Sequence, residues 1–455
     1  MLLCVLALPA CTWYRREPLN PVDTSTSTTS LERMQIDPRT MPLPELASHR
    51  FDPSDGLDIE EVAMLAVANN PDLKLARADL DIARAQAFSA GLLPDPQIAI
   101  SSDYPGALDT TRAFNYGLSM DVMAIVTRGA NKASADATVV KTDLGLLWQE
   151  WQVIAQAKQL FLKARLQDET LPMLHRLQEL SRVRYERTAQ AAREGNLASD
   201  ATSAALLSYN DTRKQWTDAE RAAEQTHHDL NALLGVLPDV KLQLVDTRDG
   251  DSATPSEQTI DAALTDLPRR RPDLLALQAG YEAQEQKYRA AVMSQFPSLT
   301  VGFNRARDTS NIYTTGFQIN LSLPIFNRNR GNIAIEQTTR ARMREEYQIR
   351  LNQAYADVAH LRGDSAILLD QLHAAVRALP DADTAARNAQ QAYDAHDLAL
   401  GAYTDAQAAA LTRRIDIGTL AESFAEQRVA LQAVLGSAIP DAILDTPTFS
   451  AHHAE

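Results

Sequence analysis

Histidine pairs, two thiols and scattered carboxylates are the residues of this chain that could do chemistry. His227-His228 are neighbours on an expected helix, so their rings diverge by about 100° and chelate poorly. His452-His453 lie in a polar tail with no periodic pattern. There is no His-Glu-x-x-His, no phosphate-cradling glycine loop and no nucleophile elbow. Acidic residues are plentiful but spread over helical surfaces, where solvation accounts for them. The expectation is no enzyme, no resident metal and no cofactor.

The two cysteines, Cys4 and Cys11, both stand at the extreme N-terminus, so the body has neither a disulfide nor a thiolate metal site. Residues 1–11 form a short apolar stretch ending in small residues, the pattern of an export signal. Leu8-Pro9-Ala10-Cys11 resembles a bacterial lipobox, in which Cys11 would carry covalent lipid (palmitate among the acyl chains). Pro9 and the lack of a basic leader depart from that pattern. Thr12 follows the cysteine where an Asp would hold a lipoprotein at the inner membrane, which implies the outer membrane.

Composition narrows the class. Apolar residues make up 45% and aromatics only 6%, with 17 glycines among 455 residues, a profile of long, closely packed helices. The net charge of −15 argues against nucleic-acid binding, which needs a basic surface. No apolar run reaches the roughly eighteen residues of a transmembrane helix.

The chain repeats itself. Asn70-Pro71-Asp72-Leu73 returns as Arg271-Pro272-Asp273-Leu274, 201 positions later. The same offset relates Pro96 to Pro297, Leu197 to Leu398, and Leu234-Gly235 to Leu435-Gly436. A constant offset points to duplication, and the period is far too long for a solenoid unit. The expected organisation is a Pro/Ser/Thr-rich extended arm over 12–56, a first repeat over 57–237, an acidic linker over 238–256, a second repeat over 257–437 and a tail over 438–455.

Each repeat reads as helix, strand, strand, very long helix, helix, so the fold class is mainly α with a small β part. The first helix should run from Asp58 to about Leu93. Strands are expected at about 97–102 and 113–123, and at about 298–304 and 313–323. In the last of these Tyr313, Thr315, Phe317, Ile319, Leu321 and Leu323 alternate with polar or small residues, giving one apolar and one polar face. About ten residues is the length of a tilted transmembrane strand. Helices follow over about 131–193 and 332–395, each roughly 95 Å long at 1.5 Å per residue. Leu144, Leu147, Trp151, Ile154 and Phe161 have heptad-like spacing. Pro172 and Pro380 should kink these helices, Gly195 should end the first, and Ser199 or Asp200 should cap its successor. Backbone groups in lipid must all be paired and four strands cannot close, so copies must complete the sheet. Three copies give a twelve-stranded barrel continued by twelve helices.

The chain resembles the TolC-like outer membrane factors over about residues 57–437. The resemblance rests on Asn70-Pro71-Asp72-Leu73, Arg270-Arg271-Pro272-Asp273-Leu274, Leu323-Pro324-Ile325-Phe326-Asn327-Arg328-Asn329-Arg330-Gly331, the turn at Gly195–Asp200, and Asp405-Ala406-Gln407. The Pro-Ile-Phe-Asn-Arg run is similar to the heavy-metal-efflux branch, whereas Ala124–Gly129 in the first half lacks its Pro and Phe. The resemblance implies a homotrimeric outer-membrane channel working with a periplasmic adaptor (membrane fusion protein) and an inner-membrane transporter of the resistance-nodulation-division type. It also implies a periplasmic constriction at Asp405, with Leu400 and Tyr403 adding apolar or aromatic closure, and an adaptor-docking tip at Gly195, Leu197, Ser199 and Asp200. Three Asp405 carboxylates in a ring would favour cations and raise one another's pKa. A second family acidic position is Ala402 here, which lowers the expected charge. The alternatives are a periplasmic adaptor-type coiled-coil protein and a duct for type I protein secretion; the first needs one hairpin between β-rich halves, and this chain has two hairpin modules and few strands.

Overall fold

The computed structural model describes residues 14–19, 27, 31, 33–106, 109–245 and 257–436. Cys11 with its lipobox, residues 246–256 of the linker, the tail 438–455 and its His452-His453 pair lie outside the described residues.

The arm is not simply extended. A 3-10 turn at Pro38–Thr40 leads to α1 (Pro44–Ser48), and Met41, Leu43 and Leu46 bury against Ala63, Met64, Val67, Trp151 and Ile154. Its Pro- and Ser-rich composition masks these few apolar anchors, which strap the arm to the body. The expected helix from Asp58 to Leu93 is two helices, α2 (Ile59–Asn69) and α3 (Pro71–Ala90). Asp58 and Glu61 form a reciprocal capping box at the start of α2. Pro71 disfavours helical backbone at Asn70 and itself fits the first turn of α3, while the Asn70 side chain accepts from the Leu73 N–H.

Strands β1 (Gln97–Asp103) and β2 (Ala113–Asp121) then form a hairpin. Helix α4 (Val122–Arg193) starts directly at the end of β2, earlier than expected, because Asp121 caps it by accepting from the N–H groups of Met123 and Ala124. Its 72 residues span roughly 110 Å at 1.5 Å rise. Pro172 does not interrupt it, and Leu144, Trp151, Ile154 and Phe161 are buried. Helix α5 (Ser199–Leu233) returns alongside: Tyr185 stacks on Tyr209, His175 meets Trp216, and Phe161 packs near Leu230.

The second repeat follows as α6 (Glu257–Arg270), α7 (Pro272–Met293), β3 (Ser298–Arg307), β4 (Tyr313–Ser322), α8 (Arg330–Asp394) and α9 (Leu400–Leu435). Pro380 also leaves α8 unbroken. The first part of α4 packs on α3 and α7, through Arg128 donating to the Gly91 carbonyl and Ser134 to that of Ala283. Its remainder packs on α5 and α9, where a Cβ at Gly418 would lie 3.1 Å from the Leu166 side chain. Among the described residues no helix is long and apolar enough to cross a membrane.

Duplication is visible in backbone conformation. Gly195 (φ 78°) and His396 (φ 63°) both end a long helix in the left-handed region. In each, the next N–H reaches back to the last turn, Asn196 to the Ala191 carbonyl and Asp397 to that of Ala392. The expected caps at Ser199 and Asp200 are not made. Ala198 precedes α5 without a side-chain cap, as Ala399 precedes α9. The Asp200 carboxylate instead accepts from the adjacent Ala201 N–H. Gly235 (φ 60°) has no room for a side chain, because a Cβ there would lie 2.7 Å from the Asn69 carbonyl oxygen. Asn69 and Asn70 donate to the carbonyls of Leu234 and Leu233, tying the end of α5 to the α2–α3 break.

Candidate functional site

The sheet runs in the order β1-β2-β3-β4, all antiparallel. Directly paired residues share a face, so the register settles what each face carries. Ile98 and Ile100 pair with Leu118 and Tyr116; Leu118 and Met120 pair with Phe303 and Val301; these pair with Phe317 and Ile319. One apolar face therefore crosses all four strands. The opposite face carries Ala99, Ser101, Asn115, Gly117, Ser119, Gly302, Asn304, Gly316, Gln318 and Asn320. Neither face is covered: no strand residue is buried, and Ile98 is 74% and Phe317 70% exposed. Strands β1 and β4 each leave one edge unpaired. Four strands without a hydrophobic layer beneath them are not a soluble domain core.

The junctions below the sheet are also apolar. Phe88 near the end of α3, and Leu92, Leu93 and Phe296 in the short segments that lead from α3 and α7 into the sheet, are all exposed. On the return, Leu323–Asn329 form a loop in which Phe326 is 95% exposed and Arg328 and Asn329 are left-handed. The first half makes its return without a loop, consistent with its lack of the Pro-Ile-Phe sequence.

At the other end of the long helices, the constriction candidates come together in part. Asp405 on α9 is exposed and forms an ion pair with Arg184 on α4. Sequence reasoning missed Arg184, since nothing local marks a partner 221 residues away. Tyr403 stacks on Tyr393 with ring centroids 4.6 Å apart, closing α8 against α9. Leu400 is half-buried at the start of α9. Gly195, Leu197, Ser199 and Asp200 are exposed at the α4–α5 tip. The tip and the Arg184–Asp405 pair thus occupy the same end of the molecule.

Two clusters of charged groups lie along the helical shaft. Burial pushes the Glu422 carboxyl up to about 7, the neighbouring Glu426 adds to the rise, and Lys163 opposes it. Because the folded form holds this proton more tightly than the unfolded chain, stability falls as pH rises from the ordinary carboxylate range through about 7. Glu422→Gln should therefore raise the thermal midpoint at pH 8 and leave it unchanged near pH 4, as scanning calorimetry at the two pH values would record. Higher up, Arg271 is 1% exposed, pairs bidentately with Asp273 and covers the Trp148 ring, and Arg350 donates to the same carboxylate. Among the described residues no group of three or more His, Cys, Asp or Glu could hold a metal ion.

Known proteins resemble this chain in sequence over its second half and in fold over most of its length. Residues 263–437 match the family model for outer membrane efflux proteins. Over its described residues the chain takes the fold of the TolC-like outer membrane channels. The outer-membrane channel OprN superposes with a TM-score of 0.70 at 18% identity, covering 92% of this chain and 98% of that one. The Campylobacter jejuni CmeC outer membrane channel gives 0.69 at 17% identity, over 85% and 87%. CusC, whose structures describe folding and transmembrane channel formation, gives 0.67 at 20% identity, over 87% and 97%. No curated protein sequence matches the chain.

Proposed function

We propose that this chain is the outer-membrane duct of a tripartite efflux system, formed as a homotrimer. The observation that carries the reading is a four-stranded sheet with segregated faces, two open edges and no core beneath it. Pairing β4 of one copy with β1 of the next closes twelve strands, with apolar residues toward lipid and polar and small ones toward the lumen. Below it, four long helices per copy make a twelve-helix tube. The repeats 57–237 and 257–437 are joined by the linker 238–256. Cys11 carries the lipid anchor, and the arm over 31–51 brings the chain from that anchor onto the body.

Transport is passive in this reading. The tube supplies a path, an inner-membrane pump of the resistance-nodulation-division type supplies the energy, and a periplasmic adaptor meets the tips at Gly195, Leu197, Ser199 and Asp200. The tube narrows near Asp405, Leu400 and Tyr403. The Arg184–Asp405 pair ties α9 to α4 and so holds this end in one arrangement. Purified protein should migrate as a heat-dissociable trimer and conduct ions in planar bilayers; a monomer without conductance in lipid overturns the proposal. Arg184→Ala and Asp405→Asn should each raise single-channel conductance several-fold, with no change in the amount of trimer. Unchanged conductance in both would remove the tie from the constriction.

A further inference from the structure

We propose that the outer rim of the sheet binds the phosphates of an outer-leaflet lipid of the lipid A class, through Arg112, Arg305 and Arg307. The inference rests on the membrane reading of the sheet and adds a ligand to it. The strand register decides which face the arginines occupy. Arg305 and Arg307 pair with Tyr116 and Phe114, so they continue the apolar face that carries Phe303 and Val301. They stand at the hairpin end of the sheet, away from the long helices. With those helices in the periplasm, that end meets the outer leaflet.

The cluster is arranged to receive an anion. The Arg112 guanidinium lies 4.4 Å from the centre of the Tyr104 ring and donates through Nε to the Ser102 hydroxyl at 2.7 Å. The Arg307 guanidinium lies 5.0 Å from the Phe114 ring centre and donates to the Arg112 carbonyl through Nε and Nη2. These contacts fix the two guanidinium planes without neutralising them. Arg305 is exposed between them and the apolar band. Among the described residues none of the three pairs with a carboxylate, although the chain carries 59 acidic residues and a net charge of −15. The nearby strand carboxylate, Asp103, pairs with Ala113 on the opposite face.

Three arginines on a lipid-facing surface are costly unless an anion meets them, and Arg binds phosphate in a bidentate fork. Aromatic rings at the same level suit a membrane interface. The lipid that supplies phosphates at this depth and acyl chains along Ile98, Leu118 and Phe317 is therefore the complementary occupant. Inorganic phosphate would match only the first half of that description.

The test uses the full-length protein in nanodiscs of phosphatidylethanolamine and phosphatidylglycerol, with bisphosphorylated lipid A, dephosphorylated lipid A or inorganic phosphate added. Bisphosphorylated lipid A should raise the temperature of trimer dissociation by several degrees, and neither other addition should. Arg305→Gln, at an exposed strand position, should reduce retained lipid A at least threefold by mass spectrometry. Arg112→Gln/Arg307→Gln should reduce it further. Equal retention by wild type and Arg305→Gln, or equal stabilisation by inorganic phosphate, overturns the inference while leaving the channel intact. Wild type that fails to enter the nanodiscs overturns the membrane reading and this site together.

Discussion

Arg271→Ala should destabilise the folded chain by about 3 kcal/mol, toward the lower end of what removing one partner of a buried ion pair costs. The side chain is 1% exposed and bonds Asp273 at 2.9 and 2.8 Å. Its removal uncovers Trp148 and leaves a buried carboxylate with Arg350 alone, at 2.7 Å. Burial pushes the Asp273 carboxyl up, and the guanidiniums of Arg271 and Arg350 outweigh it, so the group sits below its ordinary value. The sign follows: the pair's contribution is present above the ordinary carboxylate range and is lost as pH falls through the lowered pKa. The gap between wild type and variant should accordingly narrow below about pH 4. A double variant, Arg271→Met/Asp273→Leu, should recover much of the loss, because it removes both charges and keeps the volume. Denaturant unfolding followed by helical circular dichroism measures all three, and a loss under about 1 kcal/mol in Arg271→Ala would show that the pair does not organise this junction.

Ile319→Arg and Gln318→Arg should behave oppositely although they are neighbours on β4. Ile319 pairs with Val301 on the apolar face and Gln318 with Gly302 on the polar face. If the apolar face meets lipid, Arg at position 319 costs roughly 2–4 kcal/mol per subunit, the figure for a cation near the bilayer midplane. Arg at 318 points to water in the lumen and should cost little. Trimer yield after refolding into vesicles should drop by at least tenfold for Ile319→Arg and stay near wild type for Gln318→Arg. Equal tolerance at both positions would mean that the sheet does not separate lipid from water.

How much of this was legible in the sequence depended on whether the signal was local. The four strands were, because period-two alternation over Tyr313–Leu323 is written into adjacent residues. So was the left-handed helix end at Gly195. His396 takes the same conformation without glycine, and only the 201-residue offset pointed to it. The break at Asn70 was missed because apolar residues continue on both sides, although Pro71 was in view. Helix α4 began earlier than expected because Asp121 reads as one more polar strand position until its carboxylate is seen capping the helix. The strap formed by Met41, Leu43 and Leu46 was hidden by the polar composition around it. Arg184 for Asp405, and Trp148 and Arg350 for the Arg271–Asp273 pair, could not be read at all, since each partner arrives from a distant helix.

The two helix ends at Gly195 and His396 share a backbone shape but not a surface. One offers bare main chain, the other an imidazole. Three subunits would set these in alternation around the narrow end of the tube, six projections of one outline in two textures. A binding protein that grips main chain would find six equal handholds; one that feels for the ring would find three. Each set can then drift under its own selection without remodelling the shaft above.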